Sequence, residues 1–286
     1  FMIGVMIPSD SNSCIFHQFA MDGTNPDEEK EMLNELSKYL SCSVVTYNGN
    51  FFDLPYLKTR FIKNNLTWNE PVSMDLFAWI KPKRKFFDFP NLKLKTLEKY
   101  AEIERKDELS GKEVADIYTM LPKIEESKRA LFMDKMLLHN KEDVINLAKL
   151  LPLFDSLKES LSFRTEYMDE KYIISLESFK VKKDFAHIIA TSSSIPSIKT
   201  CFQKNDYAFT WENNTLSLKL PIYNGTANLD GKDEPVITGI LTTKKGEAKD
   251  ASPYNLKYPL CVLSDSNKYY SDNIIELLLN AFERLN

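Results

Sequence analysis

The feature that most constrains this chain is a short strand that turns through Asn-Gly into a helix with an acid at the junction. In Val44-Val45-Thr46-Tyr47-Asn48-Gly49-Asn50-Phe51-Phe52-Asp53-Leu54-Pro55-Tyr56, a β-branched and aromatic run enters the turn pair, and Asp53 follows at once. Beyond it, Leu54, Leu57 and Phe61 fall on one side and Lys58, Arg60 and Lys63 elsewhere, which predicts an amphipathic helix. An acid at such a corner, beside two aromatics and ahead of several cations, suits a metal-dependent site for a phosphate backbone. A purely structural role for Asp53 is a helix N-cap, where its carboxylate would satisfy amide groups that have no intrahelical partner. Capping alone does not account for the flanking Asn48, Phe52 and Pro55-Tyr56.

Strand and helix signals alternate through the first 154 residues, which predicts an α/β domain. Met2–Ile7 and Cys14–Ala20 read as strands. Asn25-Pro26-Asp27-Glu28 opens a helix with Asn at the N-cap and Pro at the first helical position, and its stripe is Met32, Leu33, Leu36 and Leu40. An apolar run leads to Asp75. Helices follow over Leu94–Tyr100, Val114–Leu121 and about Phe132–Leu151, with Pro152 expected to stop the last. From about Phe163 the texture becomes β-rich, with runs at Tyr172–Leu176, Phe185–Thr191, Tyr207–Trp211, Leu216–Leu220 and Leu260–Leu263. Asn213-Asn214 marks a hairpin, and Asn273–Leu285 reads as a closing helix. The expected organisation is therefore an α/β domain over 1–154 and a smaller β-rich domain over 155–286. Thr242–Pro253, with Lys244, Lys245, Gly246 and Lys249, reads as a loop.

Composition narrows the function classes. Hydrophobic residues make up 43% and charged residues 27%, as in an ordinary soluble globule, and the net charge of −4 gives no overall basic field for polyanions. Any nucleic-acid contact must therefore be local. Cys14, Cys42, Cys201 and Cys261 show no metal-binding spacing and read as reduced thiols. No apolar run approaches a membrane span, so no membrane partner is expected, and the compartment expected is the cytoplasm.

A second acidic site lies ninety residues on. In His139-Asn140-Lys141-Glu142-Asp143, histidine and acid are four apart, so on a helix they share one face one turn apart. An imidazole there could take a proton from an attacking water while the carboxylate binds a metal. The alternative is a surface histidine and a solvated charge. Together, Asn48-x-x-x-Phe52-Asp53 and His139–Asp143 resemble the second and third motifs of the DEDD 3′–5′ exonucleases, a branch of the ribonuclease H-like superfamily. Asp75-Leu76, Leu92–Glu98 and Gly111-Lys112-Glu113-Val114 resemble bacterial members, although Asp75 itself reads as a helix start.

The resemblance covers most of residues 1–150 and nothing beyond. It implies a ribonuclease H-like mixed sheet flanked by helices. It also implies 3′–5′ hydrolysis of single-stranded DNA or RNA with two Mg²⁺ or Mn²⁺ ions about 3.5–4 Å apart. Asp53 and Asp143 would be metal ligands, His139, Asp143 and Asp53 the catalytic set, and Asn48 and Phe52 contacts to the substrate strand. Lys83, Arg84 and Lys85, in a basic segment broken by Phe86, Phe87 and Phe89, would add phosphate contacts; an exposed solvated loop is the other reading. The family's first motif, Asp-x-Glu on a central strand, is not in this sequence, and Asp27-Glu28-Glu29 belongs to a helix start instead. Without a central strand two rows of backbone groups would go unpaired, so a further strand ahead of Phe1 is expected. Two acids alone hold Mg²⁺ poorly, so this stretch by itself is expected to bind the ion weakly and to be nearly inactive. The contrasting possibility is an inactive binding module.

Overall fold

The computed structural model describes residues 2–9, 13–21, 26–242 and 249–285. It divides into two compact units, Phe1–Lys81 with Phe89–Phe154, and Pro82–Asp88 with Asp155–Asn286.

The first unit is α/β. β1 (Met2–Pro8) pairs antiparallel with β2 (Cys14–Ala20), in register from Met2↔Ala20 to Pro8↔Cys14. After α1 (Pro26–Leu40), β3 (Val44–Thr46) leads into α2 (Asp53–Lys63). β4 (Ser73–Asp75) lies parallel to β3, with Val44 opposite Ser73 and Thr46 opposite Asp75, and α3 (Leu76–Ile80) follows directly. Among the described residues the two strand pairs remain separate sheets. The expected cap of α1, Asn25, lies outside the described residues. Leu33 and Leu36 of α1 and Leu57 and Phe61 of α2 form a buried cluster with Ile3, Val5, Phe19 and Trp68, so the periodic stripes do face a core. Arg60 clamps the two helices by donating to both oxygens of the buried Glu29.

α4 (Leu94–Tyr100), α5 (Gly111–Met120) and α6 (Glu126–Ser160) complete the helices of the first stretch. Ser110 and Glu113 form a reciprocal capping box that starts α5. Pro152 does not stop α6, which runs on to Ser160. An interior proline removes one hydrogen bond and costs about 3 kcal/mol. Leu150 and Phe154, buried on either side of it, supply apolar burial that offsets this. A side chain at position 4 would meet Asn140 Oδ1 and Val144 Cγ2 at 2.8 Å, so Gly4 lets α6 lie close over β1. Gln18 of β2 fixes the same helix by donating to the Leu137 carbonyl at 2.8 Å and to Asn140 Oδ1 at 2.9 Å.

The second unit is β-rich and ends in a helix. β5 (Ser162–Tyr167), β6 (Glu170–Lys182), β7 (Phe185–Ser192), β8 (Thr200–Lys204), β9 (Tyr207–Glu212) and β10 (Thr215–Pro221) form an antiparallel sheet in the order β5-β6-β7-β10-β9-β8. β11 (Tyr223–Leu229), β12 (Lys232–Ile240) and β13 (Leu260–Ser264) form a second sheet, and α7 (Ser271–Leu285) closes the chain. Strict alternation along β7 and β10 sends Ile188, Ala190, Leu216 and Leu218 inward against Trp211, Leu278 and Phe282. Asn213 takes φ +54° in the Asn-Asn hairpin. Among the described residues no helix is long and apolar enough to cross a membrane.

Candidate active site

The corner between β3 and α2 is held by a single acid. Asp75, buried at the end of β4, accepts from the Asn48 amide at 2.8 Å and the Asn50 amide at 2.9 Å. The same carboxylate caps α3, accepting from Phe77 N at 3.0 Å and Ala78 N at 3.2 Å. Asp75 is thus a helix start that also ties down the turn. Asn48 sits at φ +66°, a conformation asparagine tolerates, and a Cβ at Gly49 would stand 2.6 Å from Thr46 Cβ.

This corner sets Asp53 as the first residue of α2. The N-cap is Phe52, which makes no side-chain capping bond, so the capping role open to Asp53 in the sequence is not the one it takes. Its carboxyl pKa is raised, first by burial of the carboxyl group and further by the charges of Asp75 and Asp143, while its own backbone amide works the other way. The charge of Asp143, ninety residues on, is thus felt at Asp53. Phe51, Phe52 and Tyr56 stand 64%, 69% and 48% exposed around the corner, an unusual concentration of open aromatic surface. Lys81 Nζ lies 5.8 Å from the Phe51 ring centre and 5.5 Å from that of Phe77.

Asp143 itself lies on α6 one turn after His139. His139 Nε2 is 3.3 Å from Asp143 Oδ2, and His139 Nδ1 is 2.7 Å from Oδ2 of Asp107, in the loop between α4 and α5. Burial acts to raise the Asp107 pKa, but the Leu109 amide, Lys95 and His139 outweigh it and hold the group at about 2. An ionised carboxylate can only accept, so the proton of that contact resides on Nδ1. Arg105, also in the loop, is the centre of the arrangement. Its Nη1 donates to both oxygens of Glu98 at 2.9 and 3.1 Å, and its Nε and Nη2 donate to Asp107 Oδ2 at 3.1 and 3.0 Å. Nη2 also donates to Asp143 Oδ1 at 2.5 Å. Burial disfavours the guanidinium charge, yet Asp143 and Glu98 more than offset it and raise its pKa. Glu142 accepts the Lys106 and Asp107 amides, which ties the loop to α6. Exposure separates the members: 38% of the Asp143 side chain is open, against 2% for Asp107, 8% for Arg105 and 1% for Glu98. The network is buried at its centre and opens to solvent at Asp143 and at Lys95, whose side chain is 39% exposed.

His139 and Asp143 thus neighbour one another on α6, the Asp143 charge acts on the Asp53 carboxyl, and Asn48 and Phe52 lie on the corner that sets Asp53. Lys83, Arg84 and Lys85 belong to the second unit. Lys83 is buried with its ammonium 2.6 Å from Glu177 Oε2, and Lys85 Nζ donates to the Ser266 carbonyl at 3.3 Å and lies 5.4 Å from the Tyr269 ring centre. Lys83 is therefore a buried ion-pair partner, not an open cation of a solvated loop. Arg105 and Asp107 escaped the sequence reading because Glu104-Arg105-Lys106-Asp107 mixes charges of both signs as a solvated loop does. The only signal was their place just ahead of the Ser110–Glu113 capping box.

Mg²⁺ and Mn²⁺ take hard oxygen donors, and Asp53 and Asp143 are of that kind. Two carboxylates fall short of a complete site, and among the described residues no group of three or more His, Cys, Asp or Glu side chains could hold a metal. No match is found among curated proteins or solved structures. A family model described as RNase_H superfamily matches residues 1–154, more than half of the chain, and the protein belongs to the ribonuclease H superfamily.

Proposed function

We propose that this protein hydrolyses phosphodiester bonds of single-stranded DNA or RNA from the 3′ end. The ribonuclease H-like fold is often that of a nuclease, and such nucleases typically use divalent metals, which supports the class of reaction. The observation that carries the reading is the His139–Asp143 pair on α6, whose carboxylate charge acts on Asp53 at a corner bearing the open rings of Phe51, Phe52 and Tyr56. In this reading Asp53 and Asp143 supply part of the oxygen set of a two-ion centre. Phe52 stacks on a terminal base and Asn48 contacts the strand. With its Nδ1 proton directed to Asp107, His139 has Nε2 as the basic nitrogen, on the side of Asp143, to accept a proton from water.

The test is cleavage of a 5′-labelled single strand with Mg²⁺ or Mn²⁺. A ladder shortening from the 3′ end is expected, lost in Asp143→Asn and Asp53→Asn while strand binding persists. Cleavage that survives Asp143→Asn would overturn the assignment. A second reading, an inactive nucleic-acid or protein-binding module, is favoured by the engagement of Asp143 with Arg105 and by the incomplete donor set among the described residues. Strand binding with no cleavage under any divalent ion would select it.

A further inference from the structure

We propose that Arg105 and Asp107 are positioning residues, which hold the His139 imidazole with Nε2 toward Asp143 and fix the Asp143 carboxylate beside it. The inference rests on the roles proposed above for His139 and Asp143. Four features of the arrangement carry it. First, Asp107 Oδ2 receives Nδ1 at 2.7 Å, so only Nε2 is left to face the open side of the cluster. An imidazole held by a carboxylate through one nitrogen has its tautomer and ring orientation fixed. Second, one planar guanidinium reaches both acids that bracket the ring, Asp107 on the Nδ1 side and Asp143 on the Nε2 side. It also lies 3.4 Å from the His139 carbonyl. A rigid fork therefore fixes the spacing of the two carboxylates, which a lysine, a point charge on a flexible stem, would not do.

Third, the fork is itself anchored. Glu98 binds Nη1 with both oxygens, Lys95 Nζ stands 3.0 Å from Asp107, and Glu142 holds the loop backbone that carries Asp107. Fourth, a salt bridge that only stabilised the fold would have no reason to end where this one does. The buried members lead to Asp143, the acid of the set that is more than a third exposed and whose charge the Asp53 carboxyl also feels. The arrangement follows the general rule that groups behind a reactive side chain orient it.

The test uses the whole chain and two conservative variants, Asp107→Asn, which keeps shape but removes the charge, and Arg105→Lys, which keeps charge but removes the fork. Only three histidines are present, His17, His139 and His187, so side-chain ¹⁵N correlations can be assigned to His139. A downfield Nδ1 proton is expected in the native chain and is lost in Asp107→Asn. With single-stranded substrate, kcat is expected to fall roughly 10–100-fold in each variant, the range for lost outer contacts, with KM changed less than about twofold. Wild-type kcat in either folded variant overturns the inference, whatever the resonances do. A native chain that does not cleave overturns the proposed function instead. The inference is then judged on the resonances alone: an unchanged Nδ1 signal in Asp107→Asn refutes it and a lost signal supports it. Should Asp107→Asn fail to fold, Arg105→Lys decides by kcat and, in a chain that does not cleave, by the His139 Nε2 resonance, which is expected to shift and refutes the inference if unchanged.

Discussion

Truncating Arg105 to alanine should destabilise the first unit far more than loss of an ordinary surface ion pair. Glu98 is 1% exposed and receives both of its charge-assisted bonds from Arg105, so the truncation strands a buried carboxylate. Asp107 keeps Lys95 at 3.0 Å, the Leu109 amide at 2.9 Å and His139 at 2.7 Å, and Asp143 is open enough to be solvated. The loss therefore concentrates on Glu98. Removing one partner of a buried pair costs about 3–5 kcal/mol, and the relief available at Asp107 and Asp143 places this case at the lower end, about 3 kcal/mol. For a unit of this size that corresponds to a fall of roughly 6–12 °C in Tm. Urea unfolding of the native chain, Arg105→Ala, Glu98→Gln and the double variant reads it as a cycle. In the Glu98→Gln background the arginine truncation should cost markedly less, because glutamine leaves no charge behind. A cost within about 0.5 kcal/mol, as for exposed pairs, or the same cost in both backgrounds, would refute the reasoning.

Asp53→Asn should raise Tm slightly while abolishing cleavage, because the charges of Asp75 and Asp143 act against the native carboxylate; a lowered Tm would show that the acid is structural. The folded pKa of Asp107, about 2, lies below the ordinary carboxylate value, so its contribution is present above about pH 4 and lost as pH falls toward 2. Stability curves of native protein and Asp107→Asn should converge over that window by on the order of 2 kcal/mol, whereas a gap constant from pH 5 to 2 would contradict the assignment. Gly4→Ala should cost about 1–3 kcal/mol by overpacking, since the new Cβ would meet Asn140 and Val144 at 2.8 Å; a neutral result by thermal melting would mean α6 shifts freely. Lys83→Ala should lower the stability of the second unit and leave the salt slope of strand binding unchanged, as its ammonium already faces Glu177. A flattened slope by fluorescence anisotropy would return Lys83 to the substrate.

Local pattern determined much of the secondary structure. The stripes of Leu33 and Leu36 and of Leu57 and Phe61 placed α1 and α2 because a 3.6-residue period exposes one face to a core. Cys14–Ala20 and Leu94–Tyr100 were legible to the residue. The β11–β12 hairpin was missed although Asp230-Gly231, both at positive φ, is a strong turn signal between Leu229 and Lys232. It was obscured because β11 is mostly exposed and lacks an apolar alternation. Pro152 misled because a local rule gave no account of the burial around it.

At the site, residue type and spacing singled out Asp53, His139 and Asp143, since an acid at a strand–helix corner and a histidine one helical turn from another acid are visible in one dimension. Spacing could not say that Asp75 gathers four backbone amides, that Lys83 is buried against Glu177, or that Arg105 joins Glu98, Asp107 and Asp143. Those facts depend on which charges leave water. A charged side chain carries the same letter whether it is solvated or paired in the interior, and only the packing of α4, α6 and the loop between α4 and α5 decides the difference.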